Sequence, residues 1–370
     1  MTGASPLVDR AGRVREGEEL DAAKVDAFLK ARIPGLEGSP EIGQFARGAS
    51  NLTYLLRYPG RDLVLRRPPF GHKAKGAHDM LREARVMRAL APAYPVVPEV
   101  LAVGDDPSVM GCDFFVMERI AGIIPRQELP AGLGLDAART RRLCLNVIDK
   151  LVELHSIDPA APLCLGRGAG SEGPSTLLSL GKGEGYVERQ VTGWSRRYRD
   201  ARTDDVPDFE AVMAWLAANR PAREVAIRAI HGDFRFDNVV LDAADPLRVI
   251  GVLDWEMATL GDPLMDLGNS LAYWVEAGDD EYFRATRRQP TNAPGMLTRD
   301  EVVARYAART GLPVANFGFY LTFGLFRVAV IVQQIWRRYR DGATKDPQFA
   351  AFGPLVTYLD MRCRRQIDGA

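Results

Sequence analysis

The sequence predicts an α+β chain in two lobes, a small N-terminal antiparallel β-sheet lobe with a helix and a larger, mainly helical C-terminal lobe. Three observations lead there. Short β-rich runs bounded by turn residues crowd the first part of the chain, at 42–47, 52–58, 63–66 and 112–117. Beyond residue 136 the apolar positions recur mostly at helical spacing. With 370 residues, there is enough chain for each lobe to bury its own core. The boundaries implied are an N-terminal arm and helix over 1–39, a first lobe over 40–120 and a second over 121–370.

Composition removes several function classes. Lysine plus arginine (48) equals aspartate plus glutamate (48), so no bulk field favours nucleic acid or an anionic membrane, and selectivity must come from a local site. Cys112, Cys144, Cys164 and Cys363 lack metal or redox spacing, which suggests reduced thiols in a cytoplasm. The first twenty residues have no apolar core of a signal or anchor, and the longest apolar run, 317–332, is interrupted by Arg327 and reads as too short and polar to span a membrane.

In chain order, Asp21 can cap a helix whose apolar positions Val25, Phe28, Leu29 and Ile33 precede the stop Pro34-Gly35. Two strands follow around Gly48-Ala49-Ser50-Asn51. Such a loop brings backbone N–H groups and a hydroxyl close to phosphate oxygens, although an ordinary hairpin has the same composition. After the turn at 59–62 comes the strand 63–66, then a helix over 79–90 carrying Met80, Glu83, Ala84 and Met87 on one side. A buried strand over 112–117 leads into Glu118-Arg119-Ile120, where the small lobe should end. The helix 136–155 has its core positions at Leu143, Val147, Leu151 and Leu154, with His155 read as a satisfied cap rather than a ligand. Residues 166–183, rich in glycine and serine, should form a mobile loop.

The densest chemistry lies at 231–266. Strands 238–242 and 249–254 flank the turn residues Ala243-Ala244-Asp245-Pro246, and antiparallel pairing sets Asn238 beside Asp254. An amide oxygen and a carboxylate suit Mg²⁺, which keeps waters and completes its shell with substrate phosphates. Asp233, on a loop containing Gly232, suits a base that takes the proton of an attacking hydroxyl, its plain alternative being a turn residue. His231 reads as a loop-orienting group, Asp262 before Pro263 as a helix N-cap, and Asp266 as a brace for the loop.

The spacing His231-x-Asp233-x-x-x-x-Asn238, followed by Asp254-Trp255-Glu256 and Gly261-Asp262-Pro263 with Asp266, resembles the aminoglycoside phosphotransferase and choline kinase-like superfamily, relatives of protein kinases. The resemblance covers roughly residues 40–340. It implies a protein-kinase-like bilobal fold and an ATP- and Mg²⁺-dependent kinase acting on a small-molecule hydroxyl. In that scheme Asp233 is the catalytic base, Arg235 neutralises charge on the phosphoryl group, and Asn238 and Asp254 hold the metal. Gly48, Ser50 and Asn51 form the nucleotide loop, while Glu118 and Ile120 lie at the adenine hinge. Arg66 stands where the family has a phosphate-binding lysine, with Glu83 as its ion-pair partner; arginine keeps the charge, but its planar fork needs different room.

The acceptor is read from different residues. Trp194 and Trp274 could line an aromatic cage, whereas Arg327 and Gln334, seven apart on one helix face, suit an anionic group. The motifs SNLTY, VLRRPP, YVERQ and FRVAVIVQQ look most like the superfamily branch found with acyl-CoA dehydrogenases, some of which phosphorylate hydroxyacyl-CoA substrates. Aminoglycoside or amino-alcohol phosphorylation is the alternative. A nucleotide-binding pseudokinase is another, prompted by Arg66. A metal-dependent hydrolase is disfavoured, because no further His or Asp cluster completes a two-metal site.

Overall fold

The computed structural model describes residues 7–45, 51–70, 79–162 and 176–369. In chain order the first elements are α1 (Ala22–Lys30), β1 (Glu41–Gln44), β2 (Leu52–Tyr58), β3 (Arg61–Arg67), α2 (Met80–Leu90), β4 (Val100–Gly104), α3 (Pro107–Met110) and β5 (Phe114–Glu118). Next come α4 (Ala137–Ser156), α5 (Tyr186–Ala201), α6 (Glu210–Asn219), β6 (Arg228–Ile230), β7 (Val239–Leu241), β8 (Val249–Val252), β9 (Thr259–Gly261) and α7 (Pro263–Ala272). The last are α8 (Glu281–Ala285), α9 (Arg299–Thr310), α10 (Phe317–Arg340) and α11 (Phe352–Asp368). Two compact units result, the first spanning 1–125, 161–177 and 238–258, the second the remainder.

The first unit is built on a five-stranded antiparallel sheet in the order β1-β2-β3-β5-β4. Asp21 caps α1 by accepting the Lys24 N–H at 3.1 Å. That helix buries Val25, Phe28 and Leu29 with Tyr54, Leu56, Leu63, Leu65 and Phe114 in one core. Each large apolar side chain so buried is worth roughly 1.5–3 kcal/mol. Strand alternation then sends Val64 and Arg66 to the opposite face, which is why β3 is buried almost throughout. Strand β4 has no counterpart in the sequence reading. Its five residues, Val-Leu-Ala-Val-Gly, alternate buried and half-buried, but all are apolar or glycine, so no polar–apolar pattern in the sequence announces the strand.

The hairpin β7–β8 forms as expected, but it joins the first unit rather than the residues after 121. The physical reason is main-chain pairing. Ile123 and Leu241 exchange two hydrogen bonds at 2.9 and 2.8 Å, and the Val252 N–H donates to Val96 O at 2.8 Å. Arg82 on α2 clamps the chain just beyond, donating to the carbonyls of Glu256 and Ala258 at 2.9 and 2.5 Å.

The second unit centres on α10. Its 24 residues contain the apolar run 317–332 that reads as too short and polar to span a membrane, yet by length and composition the whole helix could cross one. It is instead largely buried among α5, α7 and α11. Helices α7 and α10 approach backbone to backbone because glycines face each other: a Cβ on Gly268 would lie 2.4 Å from Tyr320 O, and one on Gly324 would lie 2.4 Å from Gly268 O. Asp262 caps α7 as expected, accepting from Leu264 N–H at 2.8 Å. Of the stretch 166–183, residues 166–175 lie outside the described residues, and Leu177–Leu180 forms a 3₁₀ turn.

Candidate active site

Within the first unit, Arg66 organises a buried cluster of carboxylates. Its Nη1 lies 2.6 Å from Glu83 Oε1, its Nη2 lies 3.0 Å from Asp254 Oδ1, and Glu256 Oε2 stands 4.0 Å from the same nitrogen. Asn51, itself buried, donates to Glu256 Oε2 at 2.8 Å. Three acids thus share one guanidinium. Burial pushes Glu83 up to about 7, the pull of Arg66 opposing and Asp254 and Glu256 adding to the rise. For Arg66, burial alone would lower the pKa, but the three carboxylates together raise it above the ordinary arginine value.

Asp254 sits at φ 68°, ψ 65°, one of two non-glycine residues with positive φ among the described residues. That left-handed conformation is uncommon outside glycine, asparagine and aspartate, and it turns the carboxylate away from the strand it ends. Trp255, fully buried behind it, fixes the turn by donating from Nε1 to Val252 O at 2.8 Å. The hairpin register pairs Val239 with Val252, and the Leu253 N–H donates to Asn238 O at 2.8 Å. Asn238 and Asp254 therefore flank the paired ends of β7 and β8, one residue out of direct register. The set of donors fits a hard cation: amide and carboxylate oxygens, with acids in excess over the single arginine. Among the described residues, no cluster of three or more His, Cys, Asp or Glu forms a metal cage, so waters and phosphates would supply the remaining ligands.

Glu118 is exposed at the end of β5, its N–H donating to Glu99 O at 2.9 Å. Ile120 packs against Gly251 of β8, where a Cβ would come within 2.8 Å of its Cδ1. Gly48 and Ser50 lie outside the described residues.

Within the second unit, the loop carrying Asp233 is held by its backbone. Asp266, fully buried, accepts from the N–H groups of His231 and Gly232 at 2.7 and 2.8 Å, as the sequence suggested. Gly232 supplies the φ of 82° that the turn requires. His231 orients the loop by accepting the Asp233 N–H on Nδ1 at 3.2 Å. His155 is a correction: rather than capping α4, it bridges Tyr306 Oη at 2.7 Å and Asp266 Oδ2 at 3.1 Å, deep in the core. Burial would raise Asp266, but its bond to His155 and the backbone N–H of His231 hold it below the usual carboxylate range.

Arg235 stands between two acids, Asp233 Oδ2 at 3.2 Å and Asp237 Oδ1 at 3.3 Å, with its guanidinium 4.7 Å over the Tyr273 ring. Of the acceptor candidates, Trp194 is buried with Nε1 on Gln190 Oε1 at 3.0 Å, and Arg327 lies 5.3 Å over its ring. Trp274 belongs to the core instead, donating to Leu297 O at 2.8 Å and packing on Phe236, because α7 ends at Ala272 and the chain turns inward. Gln334 is half-buried on α10, whereas its neighbour Gln333 is the buried amide, donating to Ala201 O at 2.9 Å.

Sequence reasoning missed three contributors. Glu256 stood two residues past Asp254 in a stretch already singled out, and strand-like spacing was the available signal. Gln289 accepts the Phe236 N–H at 3.0 Å and donates to Tyr273 O at 3.1 Å. Arg197 lies 4.6 Å over Trp194. Helical i, i+3 spacing from Trp194 was the signal available for Arg197, whereas nothing local in the sequence marks Gln289.

Comparison with known proteins now fits this geometry. The model of the phosphotransferase enzyme family matches residues 41–301. Acyl-CoA dehydrogenase family member 10 of Mus musculus is 36% identical over 346 residues, covering 93% of this chain and 31% of that protein. The chain thus spans about a third of that relative's length. A Ralstonia eutropha protein assigned as an aminoglycoside phosphotransferase superposes with a TM-score of 0.76 at 30% identity, over 95% of this chain and 99% of its own. An aminoglycoside phosphotransferase in ternary complex with AMP-PNP and hygromycin B shares the fold at a TM-score of 0.57 and 17% identity, over 94% and 100%. The antiparallel sheet and the helical remainder are those of the protein-kinase-like fold, and the chain belongs to the phosphotransferase enzyme family.

Proposed function

We propose that the chain is an ATP- and Mg²⁺-dependent kinase that transfers the γ-phosphate to the hydroxyl of a small acceptor, and that the acceptor is a hydroxyacyl-CoA. The observation that carries the kinase reading is the Arg66 cluster, in which three carboxylates answer one cation and Asn238 ends the neighbouring strand. Mg²⁺ on Asn238 and Asp254 would neutralise phosphate charge as it develops. Asp233 takes the proton of the acceptor hydroxyl as its oxygen bonds to the γ-phosphorus and the bond to the β-phosphate oxygen breaks, releasing ADP. Arg235, steadied on Tyr273, meets charge on the transferred group. Glu83 holds Arg66 in place, and Arg66 meets the nucleotide phosphates in lysine's stead.

The acceptor class rests on the kinship with an acyl-CoA dehydrogenase family member. A screen of ATP consumption against hydroxyacyl-CoAs, aminoglycosides and amino alcohols tests it: turnover is expected with the first alone. Turnover with aminoglycosides and none with hydroxyacyl-CoAs would replace that acceptor. The arginine at position 66 favours one second reading, a nucleotide-binding pseudokinase, which predicts ATP binding without loss of the γ-phosphate throughout the panel.

A further inference from the structure

Arg327 lies at the middle of α10, 5% exposed, on a helix that also buries Phe323, Phe326, Ala329 and Val330. Removing a guanidinium from water costs several kcal/mol, and proteins normally offset it with a carboxylate. Among the described residues, Arg327 has no acidic oxygen within ion-pair distance, and its close partner is the Trp194 indole at 5.3 Å. Arg197, exposed on α5, lies 4.6 Å over the same ring and is likewise without an acid among the described residues. Cation–π contacts return less than desolvation costs, and two cations on one ring repel. Gln190 fixes the indole by accepting its N–H.

The field of this pair extends to the loop of the proposed base. Tyr273, whose ring carries Arg235, is raised first by burial and then by Asp233, while Arg235, Arg327 and Arg288 oppose. A single phenol thus feels both Asp233 and Arg327. Arg197 itself is shifted down, by burial first and then by Arg196 and Arg327.

We propose that Arg327 and Arg197, set on the Trp194 indole, form an anion subsite for the acceptor, taking an acidic oxygen group of the same molecule whose hydroxyl is phosphorylated. The proposal rests on the kinase reading and adds to it the chemistry of the acceptor's other end. That group is either the carboxylate of a free hydroxy acid or a phosphate of its CoA thioester.

Isothermal titration without nucleotide, beside steady-state kinetics, separates the possibilities. The probes are 3-hydroxybutyrate, 3-hydroxybutyryl-CoA and the neutral methyl ester of 3-hydroxybutyrate. Arg327→Gln and Arg197→Gln should weaken binding of at least one charged probe by about tenfold or more, with KM rising more than kcat falls, and leave the ester unchanged. Arg327→Lys should recover part of the loss. The charged probe that suffers identifies the source of the anion. Shifts below threefold for both charged probes, equal losses with the ester, or no binding of a charged probe by the wild type would each overturn the subsite. Should Arg327→Gln fail to fold, the exposed Arg197→Gln decides. Binding that responds to the arginines while no probe is phosphorylated would refute the kinase reading and keep the subsite.

Discussion

The two units handle buried charge in opposite ways. Around Arg66 in the first, three carboxylates, Glu83, Asp254 and Glu256, gather on one guanidinium among the described residues. Around Trp194 in the second, Arg327 and Arg197 leave positive charge in excess with no acid to meet it among the described residues. A folded chain tolerates such imbalances at a cost in stability, so each points to what is bound there: a metal–nucleotide complex at the first, an anionic acceptor at the second. The contrast has a structural source. The second unit's buried acids are already engaged, Asp266 by the N–H groups of His231 and Gly232, Asp262 by those of Val225 and Leu264, and Asp360 by Arg364.

The sharpest break in this contrast should come at the chemistry. Asp254→Ala removes a proposed metal ligand, and Asp233→Asn removes the proposed base while keeping its shape. Each should lower kcat by about 10²–10⁴-fold, read by ADP release, with the circular dichroism spectrum little changed; the melting temperature should hold for Asp233→Asn and fall for Asp254→Ala, which loses the bond to Arg66 and sets an alanine at φ 68°. Retained turnover in either variant would rule out the assignment. Stability is the next test. Glu83→Ala leaves a buried guanidinium with Asp254 and the more distant Glu256 as its acids, and should cost roughly 3–5 kcal/mol in urea unfolding.

Removing charge from the other unit should act in the opposite direction. Arg327→Met conserves length and apolar volume while deleting a cation that no carboxylate offsets. In the acceptor-free protein the change should be neutral or stabilising by about 1–4 kcal/mol. A loss of several kcal/mol would show that Arg327 is compensated after all, and the comparison between the units would collapse.

These tests concern residues that the sequence made legible to different degrees. The hairpin flanked by Asn238 and Asp254 was readable because it depends on strand propensity and turn chemistry, whereas the roles of the Asp233 loop and the pairing of Glu83 with Arg66 were legible through the resemblance to kinases. Contacts made by distant chain were not readable. Gln289 reaches Phe236 across 53 positions and His155 reaches Asp266 across 111, and no periodicity encodes either. The hairpin's membership of the first unit depends on Ile123 pairing with Leu241, again a long-range event. The apolar run 317–332 read as too short and polar to span a membrane because Arg327 interrupts it, although that arginine is buried within the 24-residue α10.

The smallest effect tests why no acid of the second unit is left for Arg327. Burial raises Asp262 to about 6, opposed by the N–H groups of Val225, Leu264 and Met265, with Glu224 adding to the rise. A carboxyl whose folded pKa exceeds its unfolded value near 3.8 gives its full stabilisation below that value and loses it as pH rises toward 6. Asp262→Asn lacks this titration while keeping an oxygen for the α7 cap. Wild type should therefore exceed the variant in stability by more at pH 4 than at pH 7, in matched urea titrations. A gap that instead widens with pH would mean that ionised Asp262 is met by a cation, as Asp233 is by Arg235, and that backbone amides are not what keeps it from Arg327.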